Sequence, residues 1–581
     1  MTGTICNIAA ELRHQVDACP DRVAVVWPTR RLAGGTWATR SRTFRELDQQ
    51  SDLAALGLKA LGVERGTRVA LMVPPSLEFF TLVFALFKIG AVLLCLDPGI
   101  GAKRIGRCLE QARPRALLGS VKALLALRLF GWAKHTIHLL VGTSLGSFLL
   151  GARSVGGLLR LGQSELKAAG EARAGRGRSD AEVVLPEALR TRPLDLAPTL
   201  DEEIAAILFT SGSTGAPKGV LYSHGQFVAQ LRALKEMFEI EPGEVDLSTF
   251  PLFALFAPGL GMTSVIPRMD FTRPKDASPR RLKERIEQMH VTHLFGSPAL
   301  LDRLGRAAEE HQWKLPTLKR VVSAGAPVSA RIVQRMAACL SQPAEVHTPY
   351  GATECLPVAS IGSRELLHDT RSRTEAGYGV CVGRAAPRTE IRILRIDDGP
   401  IERLTQDLEV ATGEIGEIVV HGPTTTLEYD GLPEATLLAK IRDEHGRIWH
   451  RMGDLGRFDE HGRLWFCGRK SERVRLDSGE LYTTPCESVF DAHPMVKRSS
   501  LVGARTRDGA LRPVLWVELD PDTRTLDPVE VRRELRELGR RHPQTRGIDD
   551  IRFHCAFPVD ARHNAKIDRT ALARLAEREN K

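Results

Sequence analysis

The chain has 581 residues, several times the usual domain length, and its 43% apolar and 26% charged content is that of a globular protein, which excludes wholesale disorder. A net charge of +10 comes with arginine spread along the chain rather than gathered in a basic tail or interleaved with aromatics. This excludes nucleic acid as the expected partner and favours anionic small molecules or a solvated arginine-rich surface. The ten cysteines form no C-x-x-C pair and keep no regular spacing, which points away from zinc and disulfide frameworks and toward a reducing cytoplasm.

The opening MTGTICNIAAELRHQVDACPDR meets charge before any apolar core forms, unlike a secretory signal. Val69 to Leu96 reads as strand, helix and strand with a DPG turn following, an α/β pattern. His135 to Ala152 carries no fixed charge and approaches spanning length, but its His, Gly, Ser and Thr content favours a buried strand and helix over a transmembrane span. With VKALLALRLFGWAK before it and RSVGGLLRLG after it, the same stretch suits a weak membrane-surface association or an assembly interface. The Gly-, Ala- and Arg-rich run from Gly151 to Arg178 reads as a surface excursion.

EEIAAILF is then a short strand, TSGSTGAPKG a loop, and GQFVAQLRALKEMF a helix by its apolar spacing. VTHLFGSPALLDRL, KRVVSAGAPV and AEVHTPYGATE each place small or polar residues directly after a β segment, where α/β sheets bind ligands. From Glu390 to Phe466 short strands with turn signals (TGEIGEIVVHGP, DEHGRIWHRMGD, DEHGRLWFCGR) predict a β-rich subdomain without a repeat period. Beyond Arg469, strands and helices alternate up to DRTALARLAERENK.

The loop Thr210 to Gly219 is not a Walker P-loop, because Lys218 is followed by glycine where that motif needs a hydroxyl for magnesium. It still suits a polyphosphate. Gly212 and Gly215 let backbone N–H groups turn inward, Thr210, Ser211, Ser213 and Thr214 add hydroxyl donors, and Lys218 adds a charge.

These residues resemble the signature of the adenylate-forming superfamily, which takes in acyl-CoA synthetases, luciferases and the adenylation domains of peptide synthetases, and the resemblance extends over nearly the full chain. YGATE (Tyr350, Gly351, Thr353, Glu354) resembles the motif whose tyrosine stacks on adenine, threonine bonds phosphate and glutamate helps hold magnesium. SAGAP, with Gly325, Ala326 and Pro327, resembles the end of the adenine-pocket strand. RMGD is similar to the motif whose aspartate, here Asp454, bonds the ribose hydroxyls, and Arg469 of GRK to the arginine that begins the hinge. PVDARHNAKI resembles the C-terminal lysine motif, in which Lys566 would bridge substrate carboxylate and α-phosphate, although the proline stands two residues early. The resemblance implies ATP and Mg2+ as cofactors, Glu354 as the metal-holding group, and Lys566, Glu354 and Thr210 as catalytic residues. It also implies an α/β fold: a large N-terminal domain over residues 1–468 (two flanked β-sheets and a β-barrel-like subdomain), a hinge at 469–471, and a small mobile α+β lid at 472–581.

The departures from the family pattern bear on what happens to the adenylate. Ala254 stands where the family's P-L-F-H segment carries an aromatic or histidine that gates thioester formation, Ser471 occupies the hinge position, and Ala565 replaces the glycine before the lysine. FPLFALF, GMTSVIPRMD, TPYGATECLPV and FPVDARHNAKI together resemble the β-lactone synthetases of bacterial long-chain olefin and β-lactone biosynthesis. That group implies a long-chain 2-alkyl-3-hydroxy acid substrate, an intramolecular attack by its 3-hydroxyl, a cytoplasmic location and assembly with other pathway enzymes. Phe253, Ala254, Phe256, Gly296 and Pro357 are the candidate acyl pocket, and His224, His293 or His347 the candidate base for the hydroxyl. A long-chain acyl-CoA ligase, an acyl-AMP ligase and a non-catalytic acyl- or nucleotide-binding scaffold remain as alternatives.

Overall fold

A computed structural model describes residues 4–31, 37–96, 100–174, 194–210, 217–507, 509–520, 527–559 and 567–580. They form two compact units. The first contains residues 1–295, 317–320 and 426–433, and the second contains residues 296–316, 321–425 and 434–581.

The first unit holds two sheets. One runs Arg153–Ser154, Leu139–Gly142, Ala116–Gly119, Arg68–Met72, Val92–Cys95, Ile204–Phe209, Gly219–Ser223, parallel except for its last pair. The other runs His293–Phe295, Val245–Ser248, Thr263–Val265, Val23–Arg31, Trp37–Thr43, again parallel until its last pair. The helix Leu77–Lys88 is apolar all round because it is buried all round, and its N-terminus is capped by Ser76, whose oxygen accepts from Phe79 N–H. It ends in a fully buried lysine. The Lys88 ammonium is held 2.5 Å from both Asp48 and Asp52 on the helix Phe44–Ala60, and donates to the Asp48 carbonyl at 2.8 Å. Arg13 also pairs with Asp52 at 3.2 Å, so two cations face two carboxylates, and removing either carboxylate would leave a buried positive charge in excess.

The expected excursion at 151–178 is, over its described part, a helix, Val155–Ala174, lying on Phe44–Ala60. A Cβ at Gly162 would fall 1.8 Å from the Leu53 carbonyl oxygen, and one at Gly57 2.3 Å from that of Leu158. The glycines that resembled loop material instead let two helix backbones touch. His135 to Ala152 contains the expected strand, Leu139–Gly142, followed by a 3-10 turn, Leu145–Leu150, and no described helix is long and apolar enough to cross a membrane.

In the second unit an antiparallel sheet runs Glu390–Leu394, Gly416–His421, Ile448–Phe458, Leu464–Arg469, Val380–Ala385, Cys355–Gly362, Glu345–Ala352. The β-rich subdomain is therefore present as an open sheet. Glu390–Leu394 is left as an edge, and no closed barrel forms among the described residues. The small C-terminal part is α+β, with a sheet of Val496–Arg505, Leu511–Leu519 and Asp550–Phe553 covered by Thr483–Asp491, Pro528–Arg540 and Arg569–Glu579.

Two turns in this unit share the local sequence DEHGR-x-W and the same internal bonding. In each, one carboxylate oxygen of the aspartate accepts backbone N–H groups two and four residues on, at 3.0 and 2.9 Å for Asp443 and 2.9 and 2.8 Å for Asp459. The second oxygen accepts from the arginine Nε and the buried indole N–H, at 2.7 and 3.1 Å for Asp443 and 2.7 and 2.9 Å for Asp459. Gly446 and Gly462 turn the chain at φ 76° and 70°, in the left-handed region open to glycine. Burial raises the Asp459 carboxyl, but the hydrogen bonds from Trp465, Arg463 and His461 outweigh it and hold the group at about 2.

Asp459→Ala should therefore cost about 2–4 kcal/mol in urea unfolding, since it strands Trp465 Nε1–H and Arg463 together. Because the folded-state value lies below the unfolded one, the contribution is complete above pH ~4 and lost as pH falls through about 2. The variant's deficit should shrink over that interval.

Candidate active site

The YGATE segment folds as a two-residue hairpin. Tyr350, Gly351 and Ala352 end the strand Glu345–Ala352, Ala352 pairs with Cys355, and Thr353 and Glu354 form the tip. Gly351 has no space for a side chain, as a Cβ would lie 2.7 Å from Leu356 and 2.9 Å from the Cys355 carbonyl oxygen. The hairpin is tied to the RMGD strand by Tyr350, whose hydroxyl donates to Asp454 Oδ2 at 2.6 Å. Asp454 is 3% exposed and pairs across strands with Arg469, whose guanidinium lies 3.1 Å from Asp454 Oδ1. That Oδ1 atom is buried and has no hydrogen bond of good geometry among the described residues. Burial pushes the Asp454 carboxyl up, with Arg469 and Tyr350 pulling it back, and burial pushes the Tyr350 phenol well above its ordinary value, with Asp454 adding to the shift. The phenol therefore stays protonated, as its role as donor requires.

Beside Glu354 stands a cation that reading the sequence did not single out. Lys440, at the start of the strand Lys440–Arg442, is drawn down to about 8 by burial while Glu354 and Cys355 act to raise it. Its position comes from the pairing of Lys440 with His450, a tertiary fact with no local motif. SAGAP leaves the strand Arg320–Val322 as a loop, with Gly325 at φ 93° and exposed, and with Ala326 and Pro327 leading to the helix Ala330–Cys339. Arg451 and Lys470, flanking Asp454 and Arg469, converge on the buried Glu417 at 2.6 and 3.0 Å.

In the first unit the ends of the Thr210–Gly219 loop are closed by two bonds, Thr210 N–H to the Lys218 carbonyl at 3.0 Å and Lys218 N–H to Thr210 Oγ1 at 3.4 Å. The Lys218 ammonium lies 4.9 Å over the Tyr429 ring. Ser211, Gly212, Ser213, Thr214 and Gly215 lie outside the described residues, as do Ala565 and Lys566.

The candidate pocket residues separate. Phe253 stacks flat on His293 (5.0 Å, 14°) and Phe295 (4.8 Å, 17°), whereas Phe256 lines a small apolar cavity with Phe84, Phe87, Phe227 and Leu231. Ala254 is fully buried between them in the helical turn Pro251–Ala254. Gly296 donates to the Val322 carbonyl at 2.9 Å, and a Cβ there would meet Leu301 at 2.8 Å, so its smallness serves strand packing. Pro357 is buried in the strand Cys355–Gly362. Of the histidines, His224 is fully buried, accepts from Ile8 N–H at 3.3 Å, and is drawn down to about 4 by burial. His293, also fully buried, has Nδ1 2.7 Å from Asp246 and Nε2 without a hydrogen bond among the described residues. His347 is part-exposed on the strand that carries Tyr350.

Comparison with known families decides what this arrangement belongs to, for residues 12–430 match the AMP-binding enzyme family. The chain belongs to the AMP-binding enzyme family. As a member it is an adenylate-forming, AMP-forming ligase that uses ATP. An olefin beta-lactone synthetase of Xanthomonas campestris pv. campestris is 45% identical over 575 residues, spanning 98% of this chain and 97% of that protein. One of Stenotrophomonas maltophilia is 46% identical over 584 residues, spanning 99% and 98%. Among solved structures, the amide bond synthetase McbA from Marinactinospora thermotolerans matches with a TM-score of 0.74 at 24% identity over 98% of this chain and 99% of that one, a likeness of fold.

The Tyr350–Asp454 bond joins the YGATE hairpin to the RMGD strand, and its loss is measurable. Tyr350→Phe should destabilise the protein by about 1–3 kcal/mol in chemical denaturation, because buried Asp454 Oδ2 loses the hydroxyl that donates to it. Calorimetric titration should show a parallel weakening for ATP.

Proposed function

We propose that this protein is an ATP-dependent β-lactone synthetase that converts a long-chain 2-alkyl-3-hydroxyalkanoic acid to a β-lactone, AMP and diphosphate. The observation that carries this reading is the near full-length identity of 45% and 46% to two olefin beta-lactone synthetases. Carboxylate oxide is a leaving group too poor for acyl transfer, so activation comes first. A carboxylate oxygen attacks the α-phosphorus of ATP, the bond to the diphosphate oxygen breaks, and an acyl-adenylate forms. The 3-hydroxyl then loses its proton, its oxygen attacks the acyl carbonyl, and AMP departs with the bridging oxygen. The four-membered ring is strained, but a tethered nucleophile and a good leaving group drive its closure.

In this reading Tyr350 packs on adenine, and the unbonded Asp454 Oδ1 accepts a ribose hydroxyl with Arg469 alongside. SAGAP (Gly325 to Pro327) borders the base. Thr210, the loop hydroxyls and Lys218 hold phosphate, and Lys566 bridges carboxylate and α-phosphate. Glu354 would hold Mg2+, and a site of one carboxylate plus substrate phosphates suits that ion. When bound, Mg2+ would neutralise charge growing on the phosphoryl oxygens. Residues 1–468 form the adenylation domain, 469–471 the hinge and 472–581 the lid. The ten cysteines, none of them in a disulfide, support a cytoplasmic setting.

For the base we assign His293. Asp246 orients its Nδ1–H and leaves Nε2 as the acceptor, the arrangement of a carboxylate-held general base. Phe253, stacked on that ring, must swing aside to admit the hydroxyl.

Two experiments test the proposal. With ATP, Mg2+ and a 3-hydroxy acid, NMR should show lactone whether or not coenzyme A is present. A thioester formed only with coenzyme A, and no lactone in either tube, would exclude the reading. His293→Gln should slow lactone formation by about 10²–10⁴-fold while leaving diphosphate release in the first turnover intact; equal lactone rates in variant and wild type would remove His293 from the mechanism.

A further inference from the structure

The structure assigns a second surface to the first unit. Among the described residues ten large apolar side chains are exposed, and five of them fall within Leu125 to Leu149. Leu125 and Leu129 lie one turn apart on the helix Val121–Phe130, with Phe130 at its end, and Phe148 and Leu149 top the 3-10 turn Leu145–Leu150. The helix and the turn pack together, joined by a hydrogen bond from Arg128 to the Leu150 carbonyl at 3.1 Å, so the five side chains belong to one patch. Each segment ends at a left-handed glycine, Gly131 at φ 62° and Gly151 at φ 72°.

The charge around the patch is as uneven as its hydropathy. Between Ile100 and Ser164 there are ten lysines and arginines and one acidic residue, Glu110, so this stretch carries nine of the chain's ten net positive charges. Arginine number is even along the chain, as the composition suggested, but net charge is not. All ten cations are exposed, among them Lys122, Arg128, Lys134, Arg153 and Arg160.

We propose that this patch docks the enzyme on an anionic lipid bilayer. Leu129 and Leu149 are 79% and 77% exposed and Phe148 is 66%, so they stand clear of their neighbours as knobs instead of lining a groove. A fluid acyl layer closes around such knobs, whereas a protein partner would need matching pockets, and the surrounding cations meet lipid phosphates at headgroup depth. The patch lies on the edge of the seven-stranded sheet, next to the edge strand Arg153–Ser154, and contains none of the residues assigned to catalysis. Docking would bring the enzyme to the phase in which long-chain substrates and products dissolve. That benefit rests on the proposed substrate class, but the lipid contact itself does not.

The test is flotation of the purified full-length protein with vesicles of phosphatidylcholine alone and of phosphatidylcholine mixed equally with phosphatidylglycerol. The wild type should float with the mixed vesicles at least about tenfold more than with the neutral ones, and added salt should release it. A Leu129→Ser, Phe148→Ser, Leu149→Ser variant and a Lys134→Glu, Arg153→Glu variant should each lose at least about tenfold of that binding. Both should keep wild-type AMP formation with a dissolved short-chain acid, which shows that they fold and separates a failure of docking from a failure of the catalytic reading. Wild type remaining in the soluble fraction with both vesicles, or the triple variant floating as well as wild type, would overturn the proposal. So would wild-type self-association in sedimentation velocity, without flotation, that the triple variant abolishes, since it would give the patch to a second copy of the chain.

Discussion

A single buried carboxylate ties together the YGATE hairpin and the RMGD strand of the second unit. Asp454 receives the Tyr350 hydroxyl through one oxygen and faces the Arg469 guanidinium through the other, so the hairpin and the ends of two strands meet at one group. An ion in this setting is tolerable only while its partners stay in place. The hairpin that carries Thr353 and Glu354 therefore cannot drift from the strand that carries Asp454. Next along the chain, Lys470 joins Arg451 on Glu417, which holds the residue after Arg469 against the same sheet.

The division of labour along the chain follows from the chemistry. Activation of a carboxylate needs phosphate, ribose, metal and base contacts at fixed points, and such contacts come from short motifs at strand ends and turns. The fate of the adenylate depends instead on which nucleophile can reach the acyl carbon. In the reading proposed above, that choice falls to Ala254, Phe253 and the His293–Asp246 pair, the last two on neighbouring strands.

Much of this was legible because local patterns encode local geometry. YGATE reads as a strand end plus turn and is one, and the β-rich segment was visible in its Gly and Asp turn signals. Other features were not legible because long-range packing decides them. Gly57 and Gly162 permit a backbone-to-backbone helix contact that no periodicity reveals, so the helix Val155–Ala174 resembled a loop. Phe253 and Phe256, three residues apart, pack apart, the first stacked on His293 and Phe295 and the second lining a small cavity, and Lys440 comes beside Glu354 through strand pairing. The paired DEHGR turns were readable as turns, but the indole each aspartate anchors is apparent only in the folded chain.

The central claim, adenylation followed by attack of the substrate's own hydroxyl, is tested most directly by oxygen tracing. With both carboxylate oxygens of the 3-hydroxy acid labelled as 18O, one label should appear in the phosphate of AMP and the other in the lactone carbonyl, with the ring oxygen unlabelled. Unlabelled AMP together with a lactone that keeps both labels would mean that the carboxylate displaced an activated hydroxyl, and would contradict the account.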